Sequence, residues 1–271
     1  MTVPSRTSAA PAAPTPPPAP GVVVEAATWR PVRTRDVDGW RVGLSGGFTR
    51  RANSALPLTS PPDLGATLSR VERLYADAGQ PAVVRVCAAA PAGLADVLAD
   101  RGYRERAVTD VLVRDLAADP VAADPVGPAP GPSGADGVAV TVADRPDDAW
   151  LAAWLGVKAT GATVDAATAR AVVTGSPARY LTATDADGAT AGVLRAALAD
   201  GWVGLSCLVV VPAARRRGLG RLLTRAGLRA AAADRGAHRA FLQVETSNSG
   251  AAALYAAEGF RAAERYAYWE R

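Results

Sequence analysis

Lysine is all but missing from this chain: Lys158 is the only one in 271 residues, and arginine carries the rest of the positive charge. Histidine is as scarce, with His238 alone, and the two cysteines, Cys87 and Cys207, stand far apart inside apolar runs. No zinc-type or redox-pair spacing exists, so a metal site is not expected, and a reducing cytoplasm suits this cysteine usage. Long apolar runs are also absent: none approaches the ~20 residues of a bilayer-spanning helix, which excludes a membrane partner of that kind. Residues 1–21 lack the apolar segment of a secretory signal and carry one charge, Arg6, so they read as a disordered leader. The net charge of +4 is spread along the chain without interleaved aromatics, so nucleic acid is not the expected partner.

Proline, glycine and alanine are plentiful, and they punctuate the chain. Between residues 117 and 136, Pro120, Pro125, Pro128, Pro130 and Pro132 recur among small residues, the composition of a linker. It separates one expected domain, 22–116, from a second, 137–271. In the second, alternation predicts strands at 138–143, 180–184, 191–199, 203–211, 240–245 and 266–270. Helical periodicity predicts helices through Trp150 and Trp154, at 165–173, at 219–233 and at 249–258, the first capped by Asp144 or Asp147. The fold class is therefore α/β, a mixed sheet flanked by helices.

Chemistry concentrates where the apolar run ending at Val211 meets the 219–233 helix. The joining loop contains Arg215, Arg216, Arg217, Gly218, Leu219, Gly220 and Arg221. Backbone N–H groups and the positive dipole end at a helix start attract anions, and glycines let the main chain come close. Downstream stand Asn248, Tyr255, Gly259 and Phe260. Taken together, Arg215, Gly218 and Gly220, followed by Asn248, Tyr255 seven residues on, and Gly259-Phe260, resemble the GNAT superfamily of N-acetyltransferases over residues 137–271.

The resemblance implies a GNAT-type acyl-CoA N-acyltransferase fold with acetyl-CoA as cosubstrate. It implies that the backbone of Leu208, Val209 and Val210 bonds the pantetheine arm and acyl carbonyl, between two strands that splay apart. It implies that residues 216–221 cradle the pyrophosphate, that Asn248 contacts the cofactor, and that Tyr255 protonates the departing thiolate. A phenol beside the sulfur is a sensible general acid, and the Val210 N–H is the candidate oxyanion donor. Several family members carry Glu five residues before the Asn; here that position is Gln243, which takes no proton. Glu245, on the same strand face as Gln243, is the candidate base, directly or through water, with bulk water as the alternative. His238 reads as a surface-turn residue, and Trp202, Gly204 and Ser206 as candidates for the acceptor pocket.

Offset by 157 residues, the first domain echoes the second. Gly102-Tyr103 falls on Gly259-Phe260, residues 83–86 on 240–243, and 109–113 on 266–270, with a helix at 64–78 and a strand pair at 40–44 and 48–56. At this offset Leu58, Pro61 and Asp63 replace Arg215, Gly218 and Gly220, and Leu98 replaces Tyr255. The pattern resembles tandem GNAT proteins with one inactive repeat: a degenerate domain that cannot bind the cofactor and either completes the sheet or walls the acceptor pocket. Arg50, Arg51 and Asn53 either face that pocket or belong to a solvated hairpin. The expected activity is acetyl transfer from acetyl-CoA to a primary amine of a small molecule or a protein; the alternative is a CoA-binding sensor or scaffold.

Overall fold

A computed structural model of the chain describes residues 18–116, 137–158, 165–234 and 236–271. The 117–136 linker and residues 1–17 of the leader lie outside the described residues. The first half contains α1 (Val22–Thr28), β1 (Arg33–Val37), β2 (Trp40–Leu44), β3 (Ala55–Pro57), α2 (Leu64–Asp77), β4 (Val83–Val86), α3 (Leu94–Asp100) and β5 (Arg104–Asp115). The second contains β6 (Ala139–Ala143), α4 (Asp148–Lys158), α5 (Ala166–Thr174), β7 (Ala178–Thr184), β8 (Thr190–Ala199) and β9 (Trp202–Val210). It continues with α6 (Leu219–Ala233), β10 (Arg239–Glu245), α7 (Ser249–Ala257) and β11 (Arg261–Glu270).

Short polar side chains set many of the helix starts. Asp63 accepts from Ala66 N, Asp147 from Trp150 N, Asp165 from Thr168 N and Asn248 from Ala251 N, each satisfying a backbone donor the helix leaves open. Asp38-Gly39 joins β1 to β2 and Asp200-Gly201 joins β8 to β9; all four residues have positive φ, as tight hairpin turns require.

One part of the strand pattern fails. Residues 48–56 were expected as a strand, but residues 50–52 form a 3-10 turn and only β3 remains. The cause is Asn53, whose buried side chain accepts from Ser45 N and Gly47 N and donates to Phe48 O and Thr49 O. Backbone groups satisfied by one side chain have no need of a ladder.

The eleven strands of the described residues form one mixed sheet in the order β1-β2-β3-β4-β11-β5-β10-β9-β8-β7-β6. Among the described residues, only β3–β4 and β9–β10 are parallel pairs. The last strand of each half is inserted toward the other: β11 lies between β4 and β5, while β5 pairs with both β11 and β10. Alternation along β8 sends Leu194 into a core with Leu223 and Leu228 of α6, and Val193 into an opposite core with Trp150 and Trp154 of α4 and Val172 of α5. Helices thus cover both faces of the second half. α2 and α3 cover β2 and β4 through Leu68, Leu94 and Leu98.

α1, from the first half, packs on β8 and β9 of the second. Arg195 holds it there. This side chain, 0% exposed, donates from Nη1 to Thr28 O at 2.8 Å, from Nε to Val173 O at 2.7 Å, and from Nη2 to Ser176 Oγ at 2.7 Å. Ser176 Oγ in turn donates to Thr28 O at 2.9 Å.

Because β11 is bonded along both edges, ending the chain at Phe260 should abolish cooperative unfolding of the whole molecule. Urea titration followed by tryptophan emission checks this; a truncated chain with a sigmoidal transition at the full-length midpoint would refute the shared-sheet dependence.

Candidate active site

The site begins where β9 and β10 part. Their parallel pairing runs only from Trp202↔Arg239 to Leu205↔Leu242, although β9 continues to Val210 and β10 to Glu245. On its other edge β9 stays on β8, with Ser206 opposite Arg195 and Val209 opposite Val193, so Cys207 and Leu208 face the single residue Leu194. This is a β-bulge, and it puts Cys207 at φ 57°. Beyond Leu205 β9 no longer pairs with β10, and Val210 O there accepts from Arg215 Nε at 3.2 Å.

After β9 the chain makes a short turn at Pro212–Ala214 and enters α6 through Arg216 and Gly218, which have φ 66° and 78°. Gly218 is the residue before the helix and no side chain caps it. A 15-residue helix therefore presents its first N–H groups and its dipole to whatever anion enters. A cleft of ≈ 690 Å³ opens at this point, lined by Leu208, Val209, Val210, Arg215, Arg216, Gly218, Leu219, Gly220 and Asn248. A Cβ on Gly220 would sit 3.2 Å from Leu254 Cδ2, so α6 and α7 approach closely here. The strand end that has parted from β10, the uncapped helix start and the arginines lining the cleft form a set suited to a pantetheine arm ending in a pyrophosphate, and the residues present fit acetyl-CoA on that ground.

Arg217, Arg221, Glu245 and Tyr255 lie outside that lining. Arg221 Nε is 2.9 Å from Glu258 Oε1 and Arg225 Nε is 2.8 Å from Oε2, so both tie α6 to the end of α7. Arg217 is not among the cleft-lining side chains. Asn248 lines the cleft, but its side-chain oxygen is engaged in capping α7. Tyr255 follows Leu254 on α7, is buried, and meets Phe260 edge-to-face at 5.8 Å between ring centres. Burial pushes its hydroxyl up to about 12, so it remains protonated at neutral pH.

A second cavity, ≈ 510 Å³, adjoins along β9: Cys207 lines it, while the next three residues line the cleft. Both halves build it. The first supplies Trp29, Phe48, Thr49, Arg50 and Arg51, and the second Trp154, Asp165, Thr168, Gln243 and Glu245. Arg51 lies over the Trp29 ring at 4.4 Å and donates to Gln243 Oε1 at 2.8 Å. Glu245, with 53% of its side chain exposed, is 3.9 Å from Arg50 Nη1. Gln243 and Glu245 share this wall, as strand alternation required.

Arg50 and Arg51 thus face the cavity, whereas Asn53 is consumed within its own loop. Trp202, Gly204 and Ser206 do not line the cavity: Trp202 packs on Phe241, and a Cβ on Gly204 would strike that same ring. His238 lies exposed in its turn. Sequence reasoning missed Trp29, Asp165 and Thr168. Asp165 was visible only as a helix start, and nothing in the sequence of α1 ties it to a site more than 100 residues away.

The family model described as probable histone acetyltransferase Rv0428c, C-terminal, matches residues 23–269. Among solved structures, a GCN5-related N-acetyltransferase from Kribbella flavida superposes with TM-score 0.62 at 19% identity, covering 88% of each chain. A tandem GNAT protein from the clavulanic acid biosynthesis pathway, solved without AcCoA, gives TM-score 0.58 at 20% identity over 76% of this chain and 68% of its own. A functionally unknown conserved protein from Staphylococcus epidermidis gives 0.57 at 11% identity over 88% and 92%. No curated protein matches the chain.

Replacing Gly218 and Gly220 together with Glu should abolish acetyl-CoA binding in calorimetric titration, through bulk and like charge at the helix start. Retained affinity in the folded double variant would remove this loop as the anion site.

Proposed function

The chain belongs to the family described as probable histone acetyltransferase Rv0428c C-terminal and has the GNAT acetyltransferase fold, and from this premise we infer that it moves an acetyl group from acetyl-CoA to a primary amine. The observation that carries the reading is the continuity of β9, which passes from an anion-binding cleft at a helix start into a second cavity large enough for an acceptor. The family's description favours a lysine side chain of a basic protein over a small amine, and Asp165 and Glu245 on the cavity wall suit a cationic acceptor.

Acetyl-CoA supplies the activated acyl carbon; the chain supplies position, polarisation and protons. Leu208, Val209 and Val210 hold the pantetheine arm along the strand end that has parted from β10, and residues 215–220 hold the pyrophosphate. The Val210 N–H stabilises negative charge on the acyl oxygen as the amine attacks the thioester directly. Tyr255 donates its proton to the leaving sulfur. Glu245, at the cavity mouth beside Arg50, meets the acceptor's ammonium group and orients it.

We assign cofactor binding and the general acid to residues 137–271 and read 22–116 as a degenerate GNAT-like domain that helps wall the acceptor cavity. Supporting this, Gly102 and Gly259 end corresponding helices at φ 81° and 77°, and β3–β4 repeats the parallel pairing of β9–β10. The cysteine usage fits a cytoplasmic protein.

Tyr255→Phe should lower kcat ~100-fold with acetyl-CoA affinity unchanged, since a general acid contributes on that order. With its hydroxyl protonated up to about 12, Tyr255 should cause no alkaline loss of rate in the wild type at lower pH. Thiol release from acetyl-CoA with a lysine-rich peptide checks both. Binding without turnover on any amine would favour a CoA-binding sensor instead.

A further inference from the structure

Glu25 on α1 is 3% exposed, an unusual place for a carboxylate. Its Oε2 accepts from Arg85 Nη2 at 2.7 Å and from the amide nitrogen of Gln243. Its other oxygen, Oε1, is buried and has no hydrogen-bond partner among the described residues; the same holds for Arg85 Nε and the Tyr268 hydroxyl. All three residues line one chamber of ≈ 30 Å³. Such a space holds about one or two waters, and three orphaned polar groups are what a buried water needs. Four side chains of its wall, Trp29, Arg51, Gln243 and Tyr268, also wall the acceptor cavity.

We propose that Glu25 is the proton acceptor of the transfer reaction, drawing the amine's proton out of the acceptor cavity through water in this chamber. The assignment rests on the acetyl-transfer reading above. The acceptor ammonium gives one proton to the chamber water as that water gives one to Glu25 Oε1. The freed lone pair forms the C–N bond, the C–S bond breaks with its electron pair on sulfur, and the sulfur takes the proton of Tyr255, which the nitrogen's second proton restores. Glu25 releases its proton to solvent between turnovers.

Charge around the carboxylate suits this role. Arg85 from β4, Arg41 from β2, Arg51 from the 50–52 turn, and Glu264, Tyr266 and Tyr268 from β11 surround it, with the Cys87 thiol nearby. Burial outweighs the attraction of Arg85 and raises the Glu25 carboxyl above its usual range. A raised carboxyl binds its proton nearer neutrality, so kcat/KM is lost as pH falls through its value and is full above it.

The test is the pH profile of kcat/KM with acetyl-CoA and a lysine-rich peptide, joined to infrared titration of the free enzyme. Glu25→Gln should lower kcat/KM ~100-fold and erase the acid limb while acetyl-CoA affinity stays unchanged. Glu245→Gln should raise KM and keep the limb. Because removing the charge leaves Arg85 buried alone, Glu25→Asp serves as the folded control, slower but with the limb retained. In the wild type a protonated-carboxyl band should appear as pH falls through the acid limb, and Glu25→Asp should displace it. Absence of that band, or an acid limb that survives Glu25→Gln, overturns the assignment even where turnover is normal. A band present without turnover upholds Glu25 as the titrating group and counts against the acetyl-transfer reading.

Discussion

Everything in this molecule depends on the crossing of two terminal strands. β5 leaves the first half to lie beside β10, and β11 returns from the second to lie beside β4. Backbone pairing along both edges of both strands makes the middle of the sheet common property, so neither half carries a closed sheet of its own. The cavity lined by Trp29, Arg51 and Gln243, proposed above to take the acceptor, lies over this seam. Its wall draws Thr109 from β5, Tyr266 and Tyr268 from β11 and Gln243 from β10, while the loop after β2 reaches across with Arg50 and Arg51. A separate, loosely tethered first half could not hold such a wall in place.

Three buried ionic centres then fix the helices that the strands alone leave free. Arg195 fastens α1 to the end of α5, Glu25 meets Arg85 beneath α1, and Glu258 gathers Arg221 and Arg225 from α6. For Glu25 and Arg85, the one of these pairs with both side chains buried, removing either partner costs about 3–5 kcal/mol, because the charge left behind is unpaired. These contacts thus specify position more than they add stability. Glu258 illustrates the point: it commits Arg221 and Arg225 to the joint between α6 and α7, which leaves Arg215 and Arg216 as the arginines lining the cleft.

Legibility followed periodicity. β2, β4 and α6 were readable to the residue, because their apolar spacing and end signals agree. α1 and β1 were not: α1 has seven residues, and four of the five in β1 are exposed, so neither writes a pattern. The cleft was legible because a Gly-rich turn between strand and helix is local chemistry. The acceptor cavity was not, since it is assembled from Trp29, Arg51, Asp165 and Gln243, which no spacing rule links. Arg195 shows the same limit, a fully buried cation inside a run that reads as an ordinary apolar strand.

Gln243 looks like a lost base when only its own strand is considered, but the sheet gives it a different meaning. Its amide nitrogen donates to Glu25 and its oxygen accepts from Arg51, so it uses both ends of a neutral group between a carboxylate and a guanidinium. A glutamate at this position would place two carboxylates within hydrogen-bonding distance in a buried setting, and such a pair cannot stay fully ionised together. One negative charge is what Arg85 and the surrounding burial accommodate. The amide at 243 and the carboxylate at 25 are therefore complementary: the chain keeps a single buried acid beside the acceptor cavity, carried by α1 instead of β10.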